Sequence, residues 1–334
     1  MNWTTGFSAR YYMELVDAAS WRDIERYDIT GGSIARSAGD LMEAADIDMT
    51  EIPGGGDAWV RVYLDARQGD SGDRQALFTG LLSAPTATWD GVRKTYKTEC
   101  YSVLKPPADV LLSRGWYAPA GTVGATLAAE LLSVGAAPVS CDNGSPRLVT
   151  AVVAENGETH LSMARKILAA IDWRIRISGN GEIHVCPKAA SPSATFDALE
   201  NDIVELAVTD SRNWFSCPNV FRAISGDLMA IARDDDPNSP LSTVSRGREI
   251  WREEANCALS DNENIAAYAL RRLAEEQAPV RTVSYARRYQ PDVYIGDIVT
   301  LNHPAQGISG EFRITSQKIE LGYGARTTEE AQEV

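Results

Sequence analysis

The sequence is poor in the residues that build most catalytic and metal centres. It holds three histidines and five cysteines in 334 residues. His160, His184 and His303 stand far apart. None lies in HExxH or three to four residues from another, so metal-ligand spacing is missing and ordinary structural roles are expected. Cys100, Cys141, Cys186, Cys217 and Cys257 are odd in number and form no CxxC pair. That excludes a zinc ribbon and gives no disulfide framework; buried or incidental thiols are expected. No GxSxG, no GxxxxGK[ST] and no GxGxxG between a strand and a helix is present. No run approaches the ~20 apolar residues of a membrane span. Met1-Asn2-Trp3-Thr4-Thr5 lacks the basic segment and apolar run of a Sec signal, so synthesis in a cytoplasm is expected. Positive charge is also short: 32 Lys and Arg face 46 Asp and Glu, a net charge of −14. Phosphate neutralisation needs the opposite balance, so a nucleic-acid grip is not expected. An acidic surface along which nucleic acid slides without sticking stays open.

What the sequence does hold is mostly strand signal. Arg10–Val16, Ala44–Thr50, Ala58–Leu64 and Arg93–Leu104 are β-rich or alternate. In one of them Ala45, Ile47 and Met49 share a face opposite Asp46 and Asp48. Period two with one apolar face is the pattern of half-buried antiparallel strands. Gly31-Gly32, Pro53–Gly56 and Gly69–Gly72 read as turns between them, and Pro106-Pro107 as the boundary of a small closed sheet or barrel. The periodicity then changes. Thr122 is placed to cap a helix to about Val134, and a second helix is predicted from about His160 to Ile171. Trp173–Ile177, Gly179-Asn180-Gly181 and Ile183–Cys186 form a predicted hairpin.

Ser191-Pro192-Ser193 reads as a linker. Strands return at 203–208, 219–225, 280–288, 297–301 and 312–321. One helix interrupts them, with a capping box at Ser260–Glu263, a stripe of Ile265, Tyr268, Ala269 and Leu273, and a stop at Pro279. Residues 233–247 read as a mobile loop and the tail after Arg326 as disordered. The fold class is therefore α+β, mainly β. The expected domains are a β-barrel over 1–105, a small α+β domain over 106–196, and a second β-barrel with one helix and a flexible tail over 197–334. The barrels can be discontinuous in sequence.

The run Asp234-Asp235-Asp236-Pro237-Asn238-Ser239 could attract calcium. It lacks the alternating carboxylates, central Gly and terminal Glu of an EF-hand loop, and a solvated loop is favoured. Among 46 acidic residues some pair falls at glycosidase spacing by chance, which is no evidence of that chemistry. The eight tryptophans lie mostly inside strand and helix patterns and read as core. No catalytic, cofactor-binding or metal residue is assigned, and no cofactor is expected.

Three stretches together resemble the tail and baseplate hub proteins of phages and related contractile particles. They are Gly31–Ser37 with Asp40-Leu41 and the strand Ala44–Thr50; Trp173–Ile177 with Gly181–Pro187; and Gln290–Leu301 with Gly310–Ile314 and Lys318–Leu321. The resemblance covers nearly the whole chain and rests on order and spacing, since each motif alone is common. It implies two tail-tube-like barrels with a small domain inserted between them. It implies a homotrimer whose paired barrels make a pseudo-sixfold ring. The implied partners are the tail tube or a distal tail or tube-adaptor protein on one side, a central spike or tip protein on the other, and a tape measure protein. DNA would pass the lumen without specific binding, and the place of action would be the virion tail tip after assembly in a bacterial cytoplasm. The C-terminal peptidoglycan-degrading domain that many such proteins carry is not expected here. The alternatives are a tail-tip cell-wall hydrolase and a β-rich carbohydrate-binding adhesin.

Overall fold

The structure, a computed structural model, describes residues 1–39, 41–54, 56–89, 91–149, 151–198, 204–225, 227–255, 264–277 and 281–334. Seven strands come first: β1 (Ser8–Val16), β2 (Asp23–Ser37), β3 (Glu43–Met49), β4 (Ala58–Gln68), β5 (Ser71–Leu82), β6 (Thr86–Trp89) and β7 (Lys94–Ser102). Six of them pair in the order β1–β4–β5–β7–β3–β2, and β2 returns to β1. The result is a closed antiparallel barrel, with β6 attached to β7 alone. Alternation in β3 and β4 explains its core. Ile47 and Met49, with Val60, Val62 and Leu64, meet Met13, Leu77 and Cys100 inside. Closure pairs strands that an open sheet would leave as edges.

β2 is fifteen residues long and changes partners along its length. Residues 23–28 pair with β1 and residues 29–36 with β3, through a bulge between Ile29 and Gly31. The predicted turn at Gly31-Gly32 is thus corrected to a point inside a strand. Gly32 has φ 138°, and a Cβ there would lie 2.1 Å from the Asp46 carbonyl oxygen. The glycine signal was real, and it marks a close backbone approach rather than a reversal.

The middle of the chain forms α1 (Lys105–Asp109), β8 (Tyr117–Ala118), α2 (Gly124–Leu132), β9 (Val139–Cys141), β10 (Val152–Val153), α3 (His160–Ala170), β11 (Trp173–Ile177) and β12 (Ile183–Pro187). The predicted hairpin is β11–β12, and β9 adds to β12 in parallel. α3 is capped by Thr159, whose side chain and that of Ser162 exchange hydrogen bonds with each other's backbone. α2 is not capped by Thr122; the residue before it is Val123, and the Ala125 amide donates to Ser145 Oγ at 2.9 Å.

The last third contributes β13 (Pro192–Asp197), β14 (Val204–Arg212), β15 (Val220–Ser225), β16 (Leu228–Arg233), α4 (Thr243–Arg246), β17 (Trp251–Glu254), α5 (Ile265–Gln277), β18 (Arg281–Arg288), β19 (Ile298–His303), β20 (Ile308–Glu320) and β21 (Arg326–Glu333). Six of these make a second array in the order β13–β19–β20–β21–β18–β14. β20 joins it to the barrel: residues 308–313 pair with β19 and residues 316–320 with β2. Residues 209–283 with Glu333 form a compact unit of their own. In that unit β16–β15–β17 is a three-stranded sheet. Phe221, Ala223 and Ala232 on one sheet face pack against Tyr268, Ala269 and Leu273 of α5.

The mainly β, antiparallel class with a small α+β insertion is the observed one. Three local expectations are corrected. Pro192 opens β13, which pairs in parallel with β19, so Ser191-Pro192-Ser193 is not a free linker. Segment 233–247 is held by its own side chains and contains α4. Asp234 accepts from Ser239 Oγ at 2.7 Å and Gln277 Nε2 at 2.9 Å, and Asp235 from Arg233 Nε at 2.8 Å and from the Thr243 hydroxyl. The end of the chain is strand β21, with Thr327, Glu329 and Ala331 fully buried. Its polar composition suggests disorder only because the inward-facing residues are themselves polar. The capping box at Ser260–Glu263 and the stop at Pro279 lie outside the described residues; the cap seen on α5 is Asn264 Oδ1, which accepts from the Ala267 amide at 2.8 Å.

Candidate functional site

The most distinctive chemistry is a buried chain of ionic and polar groups between the barrel and the second array. Arg36 on β2 donates to Glu43 at 3.3 Å, to Gln317 at 2.6 Å and to the Leu77 carbonyl. Glu43 Oε2 also accepts from the Tyr294 hydroxyl at 3.1 Å. Gln317 Nε2 donates to Glu329 at 2.7 Å, and Arg287 Nε donates to the same carboxylate at 3.0 Å. Arg36, Glu43, Gln317, Glu329 and Arg287 are all buried. Burial pushes the Glu43 carboxyl up to about 7, opposed by Arg36 and by its hydrogen bond from Tyr294. Such a network, once satisfied, specifies one arrangement of the two sheets, because any slip leaves charges unpaired in low dielectric.

The α+β insertion is pinned at several places, among them the Arg165 guanidinium, which donates to the Gly39 carbonyl at 2.6 Å. Asp297, 2% exposed, accepts from Arg174 at 2.6 Å and from Arg176 at 3.1 Å, while the Tyr294 amide donates to its other oxygen at 3.0 Å. At the hairpin tip the Asn180 carbonyl accepts from Trp21 Nε1 at 2.9 Å and Arg61 Nη2 at 3.1 Å, and the Gly179 carbonyl from Thr79 Oγ1 at 2.7 Å. A Cβ on Gly179 would lie 1.7 Å from the Ala76 carbonyl oxygen. This contact explains why Arg61 on the outer face of β4 is buried.

One row on the insertion has nucleophile–base–acid order. Ser140 Oγ lies 2.8 Å from His184 Nδ1, and His184 Nε2 lies 3.2 Å from Asp142. The parallel register that pairs Ser140 with His184 makes these cross-strand neighbours. Acyl transfer also needs donors aimed at the developing oxyanion. Arg176, the cation lining the same cleft, directs its terminal N–H groups to Asp297 and the Asp292 carbonyl. The row is therefore read as sheet packing. His160 Nδ1 sits 3.3 Å from the Leu131 carbonyl. Burial holds His303 below its ordinary value and pushes the Cys100 thiol up to about 12. Sequence patterns missed the Arg36–Glu329 chain, because directly bonded members lie up to 281 residues apart. The exposed aromatic and aliphatic side chains of residues 209–283 were missed as well: Trp214, Phe215, Met229, Ile231 and Trp251 are 48–71% exposed.

A closed six-stranded antiparallel barrel joined by a shared strand to a second array, with an α+β insertion, is a fold this chain shares with solved phage tail proteins and with a PdpA–VgrG complex. Two solved structures match it end to end: the tail protein from Neisseria meningitidis MC58 (15% identity, 98% of this chain and 97% of that chain, TM-score 0.68) and the 43 kDa tail protein of prophage MuSo2 from Shewanella oneidensis (13%, 98% and 97%, 0.69). A more distant match is the E. coli c3393 protein, a type VI secretion component described as similar to the T4 tail proteins gp27 and gp5 (8%, 96% and 76%, 0.53). No protein-family model and no curated protein matches the sequence.

Proposed function

We propose that the protein is a structural, non-enzymatic hub of a phage or phage-derived tail, working at the tail tip of the virion. Three copies would form a ring in which two β modules per copy stand in for six tube subunits. The ring would join the tail tube, or a distal tail or adaptor protein, to the central spike or tip, and would surround the DNA channel; a tape measure protein would meet it from the tube side. The functional division would follow residues 1–105, 106–196 and 197–334. No catalytic, cofactor or metal residue is part of this proposal.

The observation that carries it is the near end-to-end match to tail proteins, together with two adjacent six-stranded arrays in one chain. Homo-oligomers with closed symmetry are the usual outcome when one surface meets another repeatedly. The test is the mass of the purified protein, alone and with tail-tube protein. A species near three times 36.3 kDa, seen as a threefold ring with a central hole, is expected. A monomer under both conditions ends the proposal. The rival hydrolase would use the Ser140–His184–Asp142 row. It predicts labelling of Ser140 by a fluorophosphonate and clearing of a peptidoglycan zymogram.

A further inference from the structure

We propose that the groove between α3, β11 and β20 is a docking site for a partner polypeptide segment that carries a bulky apolar residue beside carboxylates. The groove has a volume of about 410 Å³. Its floor is apolar: Leu168, Trp173, Ile175 and Ile314 face it from three elements. Arg165, Arg174, Lys188 and Arg313 also line it, and among the described residues no carboxylate does; Arg174 is paired with the buried Asp297 and Arg165 donates to the Gly39 carbonyl at 2.6 Å, so Lys188 and Arg313 carry the charge of the rim.

Arg313 is central to the charge. Its guanidinium donates to the carbonyls of Gly296 at 3.0 Å and Ala189 at 3.2 Å, and it is in no ion pair among the described residues. Main-chain carbonyls fix a cation's position without neutralising it. Among the described residues Lys188 pairs with Asp172, which is itself largely exposed. An apolar cavity with a positively charged rim is complementary to an aromatic or aliphatic anchor flanked by Asp or Glu. Burying the anchor supplies affinity and the rim selects for acidic neighbours. The site is independent of the tail assignment, since it asks only for a segment of that chemistry.

The test uses the full chain and three probes followed by calorimetry and by Trp173-sensitive NMR shifts: acetyl-Asp-Phe-Leu-Glu-amide, its counterpart with lysine in both acidic positions, and decanoate. The acidic peptide is expected to bind, and the lysine peptide to bind at least about fivefold more weakly, as one pairing of charges gives. Ala169→Trp, which adds bulk from an exposed position on the groove wall, should abolish binding without unfolding the protein. Lys188→Glu should weaken it about fivefold or more. Equal binding of the two peptides, binding of decanoate alone, binding that survives Ala169→Trp, or no binding at all each overturns the proposal.

Discussion

The barrel of residues 8–102 and the three-stranded sheet of residues 220–254 solve the same problem differently. In the barrel every strand of the six-membered ring has at least two partners, and its core is filled mostly by its own residues, joined by Tyr289, Ile319, Leu321 and Ala325. In the sheet, among the described residues, β16 and β17 each have one partner and α5 covers one face. On the other face Met229, Ile231 and Trp251 are 60%, 50% and 48% exposed. Self-sufficiency is thus unevenly distributed: a ring of hydrogen bonds completes one region, while the other keeps open edges and uncovered apolar side chains. Exposed apolar surface of this kind marks interaction sites.

The largest effect should come from opening the barrel. Gly80 on β5 sits where a Cβ would be 2.3 Å from the Tyr101 carbonyl oxygen and 2.4 Å from the Phe78 ring. Gly80→Val should cost about 4 kcal/mol or more, since both neighbours belong to the closed circuit. Urea unfolding measures it; a loss under about 1 kcal/mol would mean the circuit is looser than described.

A smaller effect should follow pH through the polar chain behind the barrel. The folded Glu43 pKa, about 7, lies above its unfolded value of 4.5. The native state therefore binds the extra proton, and this group's contribution is full below pH 4.5 and lost as pH rises through 7. Between those limits the wild type should lose on the order of 3 kcal/mol from this group, a slope that Glu43→Gln removes. Parallel pH–stability profiles for the two proteins would show that Glu43 ionises normally.

The smallest effect should be on the open sheet. Replacing Met229, Ile231 and Trp251 together with serine should change the stability of the lone chain by about 0.5 kcal/mol or less per site and reduce its binding of an apolar dye. A large loss of stability would show that this face is already covered, and the contrast with the barrel would fall.

Alternation made much of this legible. Ala45, Ile47 and Met49 on β3, Trp173, Ile175 and Ile177 on β11, and the α5 stripe of Tyr268, Ala269 and Leu273 all face inward as the pattern says. Two kinds of element escaped. β2 and β21 carry polar residues at buried positions, at Arg36, Thr327 and Glu329, and composition alone reads such segments as turn or tail. The second is partnership at a distance. The Ser145 hydroxyl that holds the start of α2, and Gln317 between two buried ion pairs, have local contexts that announce nothing. The candidate interface was hidden for the same reason. Leu168, Ile175 and Ile314 each read as core, and only the fold shows that they border a groove.

The strand shared between the two arrays has a bearing on how the protein is made. The six barrel strands are all present once residue 102 has emerged, so that circuit can close while synthesis continues. Residues 316–320, at the C-terminal end of β20, must then find residues 33–37 far back in the nascent polypeptide. Contacts at such separation are slow to form. Until residues 316–320 leave the ribosome, one flank of β2 stays without its neighbour. The growing chain is open to wrong pairing there longer than anywhere else in its barrel, and a chaperone would have its best reason to wait at that flank.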